Sequence, residues 1–419
     1  MRWFAILSIL GLWGPAPACA YSVLTHEAII DSNWPGQLRP LLLKRFPNAT
    51  EDQLREAHAY AYGGAIIQDM GYYPFGSKLF SDLVHYTRSG DFVFALLKNA
   101  QEEDAQESQA LNDYAFALGA LAHYAADNLG HPVAVNRTVP LVYPKLRAKF
   151  GPEVTYEDDP GAHLKTEFGF DVIEVARGQY AAEAYHDFIG FKVAKPLLQR
   201  AFADTYCLEL SDLFLNLDLA LGSYRFAVSQ AIPEMTKAAW AAKKKDIQAL
   251  QSGMTRRKYV YRIRVATYQK DWDSQYLRPG PGARFLAFLF RLLPKIGPLR
   301  AFSFKVPPPA AEKLFLNSLD DTIRRYQELL VSVGENRLQL PNQNFDTGRP
   351  SRRGEYHLAD ETFDKLLERF DGKIDKISDP LRASILRFYS TAGSPGSDKA
   401  RAVLAALQAA PATSSAGNN

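Results

Sequence analysis

Hydrophobic residues recur every three or four positions along most of the chain, the spacing that places them on one face of an α-helix. The stretch YSVLTHEAIIDSNW takes up this spacing after Thr25, and ATEDQLREAHAYAYGGAIIQD begins with Thr50 and Gln53 at capping-box spacing, which predicts a helix start. Further helical patterns occupy residues 91–101, 108–130, 163–185 and 208–232. Alternating patterns typical of strands are rare, the clearest being KYVYRIRV at 258–265, so the sequence predicts an all-α, multi-helix protein.

Glycine and proline clusters divide the chain. The breakers RPGPGAR and KVPPPAAEK separate an N-terminal helical domain, predicted over residues 21–250, from a mostly helical C-terminal extension over 251–395. Residues 396–419 are rich in Ala, Ser and Gly and are predicted to be a weakly ordered tail, although KARAVLAALQAA could form one helix. A chain of 419 residues has room for two domains or for one domain with a long extension.

The first twenty residues have the pattern of an export signal. Arg2 precedes an apolar run, and Ala18, Cys19 and Ala20 form a cleavage motif, while the run is too short to span a membrane. Acylation of Cys19 is less favoured, because the residues before it lack the usual leucine. We therefore predict a signal peptide over 1–20, a mature chain that begins at Tyr21, and a periplasmic or secreted location. Only one cysteine then remains, which excludes an internal disulfide.

Charge adds little to this picture. The 49 Lys and Arg residues nearly balance the 46 Asp and Glu residues, so a nucleic-acid partner is not required. Residues 283–304 form a local exception, a hydrophobic arm rich in Phe and Leu that also carries four basic residues. This arm could lie in a membrane interface and attract anionic lipid, or it could be a buried helix of the C-terminal region. The sequence identifies no protein partner.

Candidate chemistry begins in the stretch LAHYAADNLGH, where His123, Asp127 and His131 follow one another at intervals of four residues. On an α-helix four residues advance about 400° and about 6 Å, so the three side chains are predicted to share one face. A single pair of this kind is more often a hydrogen-bonded part of a core. His163 and Glu167 repeat the interval downstream, and two such pairs make a metal site plausible.

Three further side chains precede this stretch: His26, Asp69 and His85. The resulting set contains imidazoles and carboxylates without a thiolate, which suits zinc in a hydrolytic site rather than a closed structural zinc site. The other histidines, His58, His186 and His357, are expected to have structural or solvated roles.

The order and spacing of these residues resemble the zinc-dependent phospholipase C family and the related single-strand-specific nucleases, which share a trinuclear zinc core. The resemblance covers roughly residues 21–190. It implies a helical bundle of that type and up to three Zn²⁺ ions. The implied ligands are Asp69, His85, His123 and Asp127 for the first ion, His131, His163 and Glu167 for the second, and His26, Asp127 and the amine and carbonyl of Tyr21 for the third.

Two departures from the family pattern bear on the substrate. Tyr21 stands where the family usually has Trp, but the implied chelating atoms belong to the backbone. Only three residues separate Asp127 from His131, where the nucleases and small bacterial phospholipases have five. The shorter spacing resembles glycosylphosphatidylinositol-specific phospholipase D and its bacterial relatives, which favours a lipid-type substrate.

The resemblance implies an exported, zinc-dependent phosphodiesterase, most similar to phospholipase C, that hydrolyses a phospholipid or lipid-linked phosphodiester. A hydroxide held by the metals would attack phosphorus, with Asp127 bridging two ions and Asp69 orienting or deprotonating the water. Two alternatives remain open. One is a single-strand nuclease or nucleotidase with the same site, and the other is a non-catalytic helical binding protein that zinc stabilises.

Overall fold

The structure, a computed structural model, describes residues 23–104, 109–177, 190–228, 305, 307–390 and 393–409. It confirms the predicted all-α fold. The N-terminal helices are α1 (Val23–Asn33), α2 (Arg39–Arg45), α3 (Glu51–Ile66), α4 (Lys78–Tyr86), α5 (Ser89–Glu102), α6 (Ala110–Leu129), α7 (Asn136–Val142), α8 (Pro144–Phe150), α9 (Pro160–Arg177), α10 (Lys195–Tyr206) and α11 (Leu217–Phe226). The later helices are α12 (Pro309–Gly334), α13 (His357–Glu368), α14 (Asp379–Phe388) and α15 (Asp398–Ala409).

Shorter elements connect these helices. Trp34–Leu38 and Gly130–Val135 are π-helical, and Ile67–Tyr72, Leu210–Asp212 and Ile374–Lys376 form 3₁₀-helices. Strands β1 (Gln343–Asn344) and β2 (Arg349–Pro350) pair antiparallel, with Gln343 opposite Pro350. The predicted signal peptide, Tyr21, the alternating run 258–265 and the hydrophobic arm 283–304 lie outside the described residues.

The crossing of α3 and α6 is close because glycines lie at the contact. A Cβ atom on Gly64 would come within 1.9 Å of the Phe116 carbonyl oxygen, and one on Gly119 would come within 2.0 Å of the Ala61 carbonyl oxygen. Any larger residue would therefore push the two helices apart. This close approach matters for the site, since α6 carries two of the candidate ligands and α3 leads directly into a third.

Local signals in the sequence are confirmed at one helix start and fail at another. Thr50 and Gln53 form the predicted capping box at the start of α3. The single helix predicted over 208–232 is wrong, because it is interrupted before α11. The Asn216 side chain accepts a hydrogen bond from the Leu219 backbone N–H over 2.9 Å and begins a new helix there.

The C-terminal region shares a hydrophobic core with the N-terminal helices. Helix α12 packs against α6, and the hydroxyl of Tyr326 donates to the Leu118 carbonyl oxygen over 2.9 Å. Phe315 of α12 stacks on Phe170 of α9 with ring centroids 4.3 Å apart. Helix α13 packs against α4. The predicted extension is thus built onto the helices that carry the candidate ligands.

The segment 396–419, predicted as a weakly ordered tail with one helix possible at KARAVLAALQAA, contains that helix. Residues 398–409 form α15, whose buried face contains Ala400, Val403, Leu404 and Leu407 and packs against α13. The spacing of these apolar residues is helical, and their burial offsets the cost of ordering the segment. Among the described residues, no helix combines the length and apolar character needed to cross a bilayer.

Candidate metal centre

Four of the candidate ligands form a first cluster: Asp69, His85, His123 and Asp127. Each offers one ligand atom, and these atoms all lie within 4.8 Å of one another. The elements that supply them are the 3₁₀-helix after α3, then α4, then α6. All four side chains are almost completely buried, the most exposed being His85 at 2%.

Backbone carbonyls determine which imidazole nitrogen faces this cluster. Nδ1 of His85 lies 2.7 Å from the Ser81 carbonyl oxygen, and Nδ1 of His123 lies 2.9 Å from the Ala65 carbonyl oxygen. A carbonyl can only accept, so each Nδ1 carries a hydrogen and each Nε2 is the remaining nitrogen. The two Nε2 atoms lie 3.3 Å apart and both face Asp127 Oδ2, at 3.4 Å from His85 and 3.1 Å from His123.

Charge in the first cluster favours a cation. Burial alone would raise the pKa of Asp127, yet His123, His85 and His26 hold that pKa well below its usual range. Burial lowers the pKa of His85, but its ion pairs with Asp127 and Asp69 outweigh this and raise the pKa to about 10. In the metal-free protein, a proton on His85 therefore supplies the positive charge that two buried carboxylates require.

His26 approaches the first cluster from the other side of Asp127. Its Nε2 lies 3.5 Å from Asp127 Oδ1, whereas His85 and His123 face Oδ2 of the same carboxylate. The His26 ring also stacks on that of His123, with centroids 4.5 Å apart. Burial and the nearby His123 lower the pKa of His26 to about 4, so its imidazole is neutral near pH 7. Its other implied partner, Tyr21, lies outside the described residues.

The remaining candidates, His131, His163 and Glu167, form a second cluster with ligand atoms within 4.8 Å of one another. Nε2 of His163 lies 2.7 Å from the Val154 carbonyl oxygen, which leaves Nδ1 to face Glu167 Oε1 at 3.5 Å. Burial lowers the pKa of His131 to about 3 and also lowers that of His163, so both rings are neutral near pH 7. Neutral imidazole is the form that binds metals.

The prediction that one α-helix carries His123, Asp127 and His131 is correct for His123 and Asp127, whereas His131 lies just beyond that helix. Helix α6 ends at Leu129, and Gly130–Val135 continues as a π-helix. His131 groups with His163 and Glu167, the set that the resemblance implied for the second ion, whereas His123 and Asp127 lie in the first cluster.

Two residues that the sequence reasoning missed contact the clusters from the C-terminal region. Asp346 is 1% exposed, and its Oδ1 lies 3.2 Å from His131 Nδ1. The Phe345 ring packs against His85 and His123, with centroids 5.3 Å and 6.1 Å away. Both residues lie in the turn between β1 and β2, NFDTG, which carries no ligand spacing that could have revealed them.

The other histidines have separate environments. His58 Nε2 lies 2.9 Å from Asp31 Oδ1, and its ring stacks on Trp34, which fits the expected structural role. His357 keeps 71% of its side chain exposed and faces Glu157 and Glu361. His186 lies outside the described residues.

The residues present fit bound zinc. Both oxygens of Asp69 and both of Asp127 are buried and accept no hydrogen bond from the described part of the chain, although a buried carboxylate ordinarily requires donors. Nitrogen and oxygen ligands from neutral imidazoles and carboxylates form the donor set that zinc uses in open sites. Backbone acceptors already set the tautomers of His85, His123 and His163, as is usual around metals.

Comparison with protein families agrees with this chemistry. Residues 25–216 match the family model described as zinc dependent phospholipase C. No curated protein and no solved structure matches the chain. The family match confirms the resemblance drawn from the sequence, and its limits enclose both clusters and His26 but not Asp346.

Proposed function

We propose, from the match of residues 25–216 to the zinc-dependent phospholipase C family, that this chain is an exported phosphodiesterase that cleaves a phospholipid or a lipid-linked phosphodiester. The observation that carries the proposal is the convergence of seven buried ligand side chains into two groups. Burying carboxylates and imidazoles is costly, and bound cations would offset this cost in both groups.

In this proposal the two clusters, His26 and the backbone of Tyr21, which lies outside the described residues, would together hold up to three Zn²⁺ ions. When bound, zinc supplies Lewis acidity that stabilises the negative charge building on phosphate oxygens during hydrolysis. Asp127 presents its two oxygens to different imidazoles, Oδ1 to His26 and Oδ2 to His85 and His123, which supports a bridging role.

Asp69 is the second residue to which we assign a catalytic role. Its Oδ1 lies 3.3 Å from His85 Nε2, and its Oδ2 lies 4.0 Å from His123 Nδ1. The two histidines outweigh the effect of burial and lower the pKa of Asp69, so the carboxylate is ionised near neutral pH. An ionised carboxylate at this position can orient a nearby water or accept its proton.

Zinc content and product analysis test the proposal together. The purified protein is loaded with zinc, and its hydrolysis of phosphatidylcholine, of a glycosylphosphatidylinositol lipid and of single-stranded DNA is compared. Diacylglycerol and phosphocholine would identify phospholipase C cleavage, whereas phosphatidic acid and choline would identify phospholipase D cleavage. Cleavage of DNA alone would assign the chain to the nucleases, and bound zinc without hydrolysis of any of the three would favour the non-catalytic alternative.

Export is part of the same proposal and rests on the sequence of residues 1–20. Sequencing the N-terminus of the exported protein tests this prediction. Tyr21 at the N-terminus would supply the amine that the third ion requires, and any other N-terminus would leave His26 and Asp127 without that chelate.

A further inference from the structure

We propose that Asp346 is a positioning residue for His131, and that the C-terminal region therefore completes the second cluster. Its carboxylate would accept the Nδ1–H of His131 and leave Nε2 as the nitrogen that faces a metal. The inference rests on the proposed function, since it assigns the orientation of one ligand in the proposed zinc centre. Asp346 lies outside the family match, so the family model does not account for it.

Asp346 and His131 lie within contact distance of each other. Oδ1 of Asp346 lies 3.2 Å from Nδ1 of His131, and neither of these buried atoms makes a hydrogen bond with any other described residue. Asp346 is not one of the residues whose ligand atoms gather in the second cluster, although its carboxylate also interacts electrostatically with His163. An outer carboxylate that accepts from a ligating histidine determines the tautomer and ring orientation of that histidine.

The carboxylate itself is held in place. Oδ2 of Asp346 accepts from the Tyr156 backbone N–H over 3.1 Å and from the Tyr356 hydroxyl. Both donors approach the same oxygen, so Oδ1 is the oxygen that remains for His131. Because two donors already bind Oδ2 and Oδ1 faces the imidazole, the Asp346 carboxylate is held in an orientation that can accept from His131.

The backbone around Asp346 is tied to both clusters. The side-chain amide of Asn136 donates to the Asp346 carbonyl oxygen over 2.8 Å, next to the π-helix that carries His131. The backbone N–H of Phe345 donates to the His85 carbonyl oxygen over 3.2 Å. One turn thus contacts a first-cluster helix through Phe345 and a second-cluster ligand through Asp346.

The test compares Asp346→Ala and the isosteric Asp346→Asn with the wild-type chain. Asn offers one acceptor oxygen to three donors, so at least one donor loses its partner. Ser351→Ala is the matched control, because the Ser351 hydroxyl anchors the same loop to the Tyr86 carbonyl oxygen over 2.8 Å without contacting a ligand. Zinc bound per chain is measured across a series of buffered free-zinc concentrations. Independently, ¹⁵N-histidine NMR of the metal-free protein reports which nitrogen of His131 carries the hydrogen.

The inference expects an Nδ1–H tautomer for His131 in the wild type and its loss in both Asp346 variants. One zinc equivalent should bind about 10–100-fold more weakly in the variants and unchanged in Ser351→Ala. Wild-type zinc affinity in a folded Asp346→Ala, or in Asp346→Asn if Ala does not fold, would overturn it, as would an Nε2–H tautomer in the wild type. Absence of zinc from the wild type would instead overturn the proposed function, while the NMR result would still report on the contact between Asp346 and His131.

Discussion

The ligands of the first cluster lie on α4, α6 and the 3₁₀-helix after α3. The ligands of the second cluster lie on a π-helix and on α9, and Asp346, from the turn between β1 and β2, contacts one of them. Their charges differ as well. Two carboxylates in the first cluster raise the pKa of His85 to about 10, while burial dominates in the second and lowers the pKa of His131 to about 3. The carboxylates of the first cluster thus favour positive charge, whereas the second cluster presents neutral rings. The two clusters therefore depend on different parts of the chain.

Replacement of Asp127 by Asn tests whether the first cluster carries the chemistry. Because Asp127 faces three imidazoles, the substitution should remove zinc from the first cluster and its His26 neighbour. Loss of several kcal/mol of charge stabilisation corresponds to a fall in turnover of about 10⁴-fold. Zinc analysis and phosphodiester hydrolysis measure the outcome, with Asp113→Asn on the same helix as control. Full activity in Asp127→Asn would contradict the assignment.

Replacement of Glu167 by Gln separates the second cluster from the first. The variant should lose one zinc equivalent and retain the zinc of the first cluster, because Glu167 is a candidate ligand in the second cluster. Turnover should fall about 10³-fold, less than in Asp127→Asn, since one ion rather than two loses a ligand. Glu153→Gln, an exposed position, is the control. Equal zinc loss in the Asp127 and Glu167 variants would show that the clusters bind metal as one unit.

Truncation of Phe345 tests how far the first cluster depends on the C-terminal region. Phe345 is fully buried against His85, His123 and Tyr124, so Phe345→Ala should lower the free energy of unfolding by about 3 kcal/mol. Chemical denaturation of the zinc-free protein measures this change. Phe94→Ala, at a side chain that is 44% exposed, should change stability by less than about 0.5 kcal/mol. Equal losses of unfolding free energy in Phe345→Ala and Phe94→Ala would mean that the packing of Phe345 against the first cluster adds little stability.

The smallest effect concerns a carboxylate on α6 that lacks histidine partners. Burial and the nearby Glu103 raise the pKa of Asp113 from 3.8 to about 6, opposite to the shift of Asp127 on the same helix. The folded state therefore holds a proton that the unfolded state releases, and stability falls as pH rises from 3.8 to about 6. Asp113→Asn should remove this dependence and be more stable by about 1 kcal/mol at pH 7. The free energy of unfolding of wild type and Asp113→Asn at pH 4 and pH 7 measures this difference. The same pH dependence in both proteins would contradict the prediction.

Several features were predictable because they are local. A hydrophobic spacing of three and four residues indicated the helices, and Thr50 with Gln53 indicated a cap, since each depends on neighbours within one turn. The i and i+4 pairs His123–Asp127 and His163–Glu167 each lie on one α-helix, so geometry alone brings their side chains together.

Other features could not be read from spacing. The interval from Asp127 to His131 equals that from His123 to Asp127, yet His131 groups with His163 and Glu167 of α9 rather than with the first cluster. The contribution of Asp346 was invisible because its turn reaches His131 only through the packing of α12 and α13 on the N-terminal helices.

Local order in this protein, the helices, the cap and the paired ligands, follows from the amino acids within a turn of each position, because helical hydrogen bonds and side-chain intervals repeat over that distance. The grouping of His131 with His163, and the approach of Asp346 and Phe345 to the two clusters, arise only when distant segments pack. Such contacts depend on the summed packing of a whole core, in which glycines at the α3–α6 crossing and an aromatic ring from the C-terminal region count as much as the ligands.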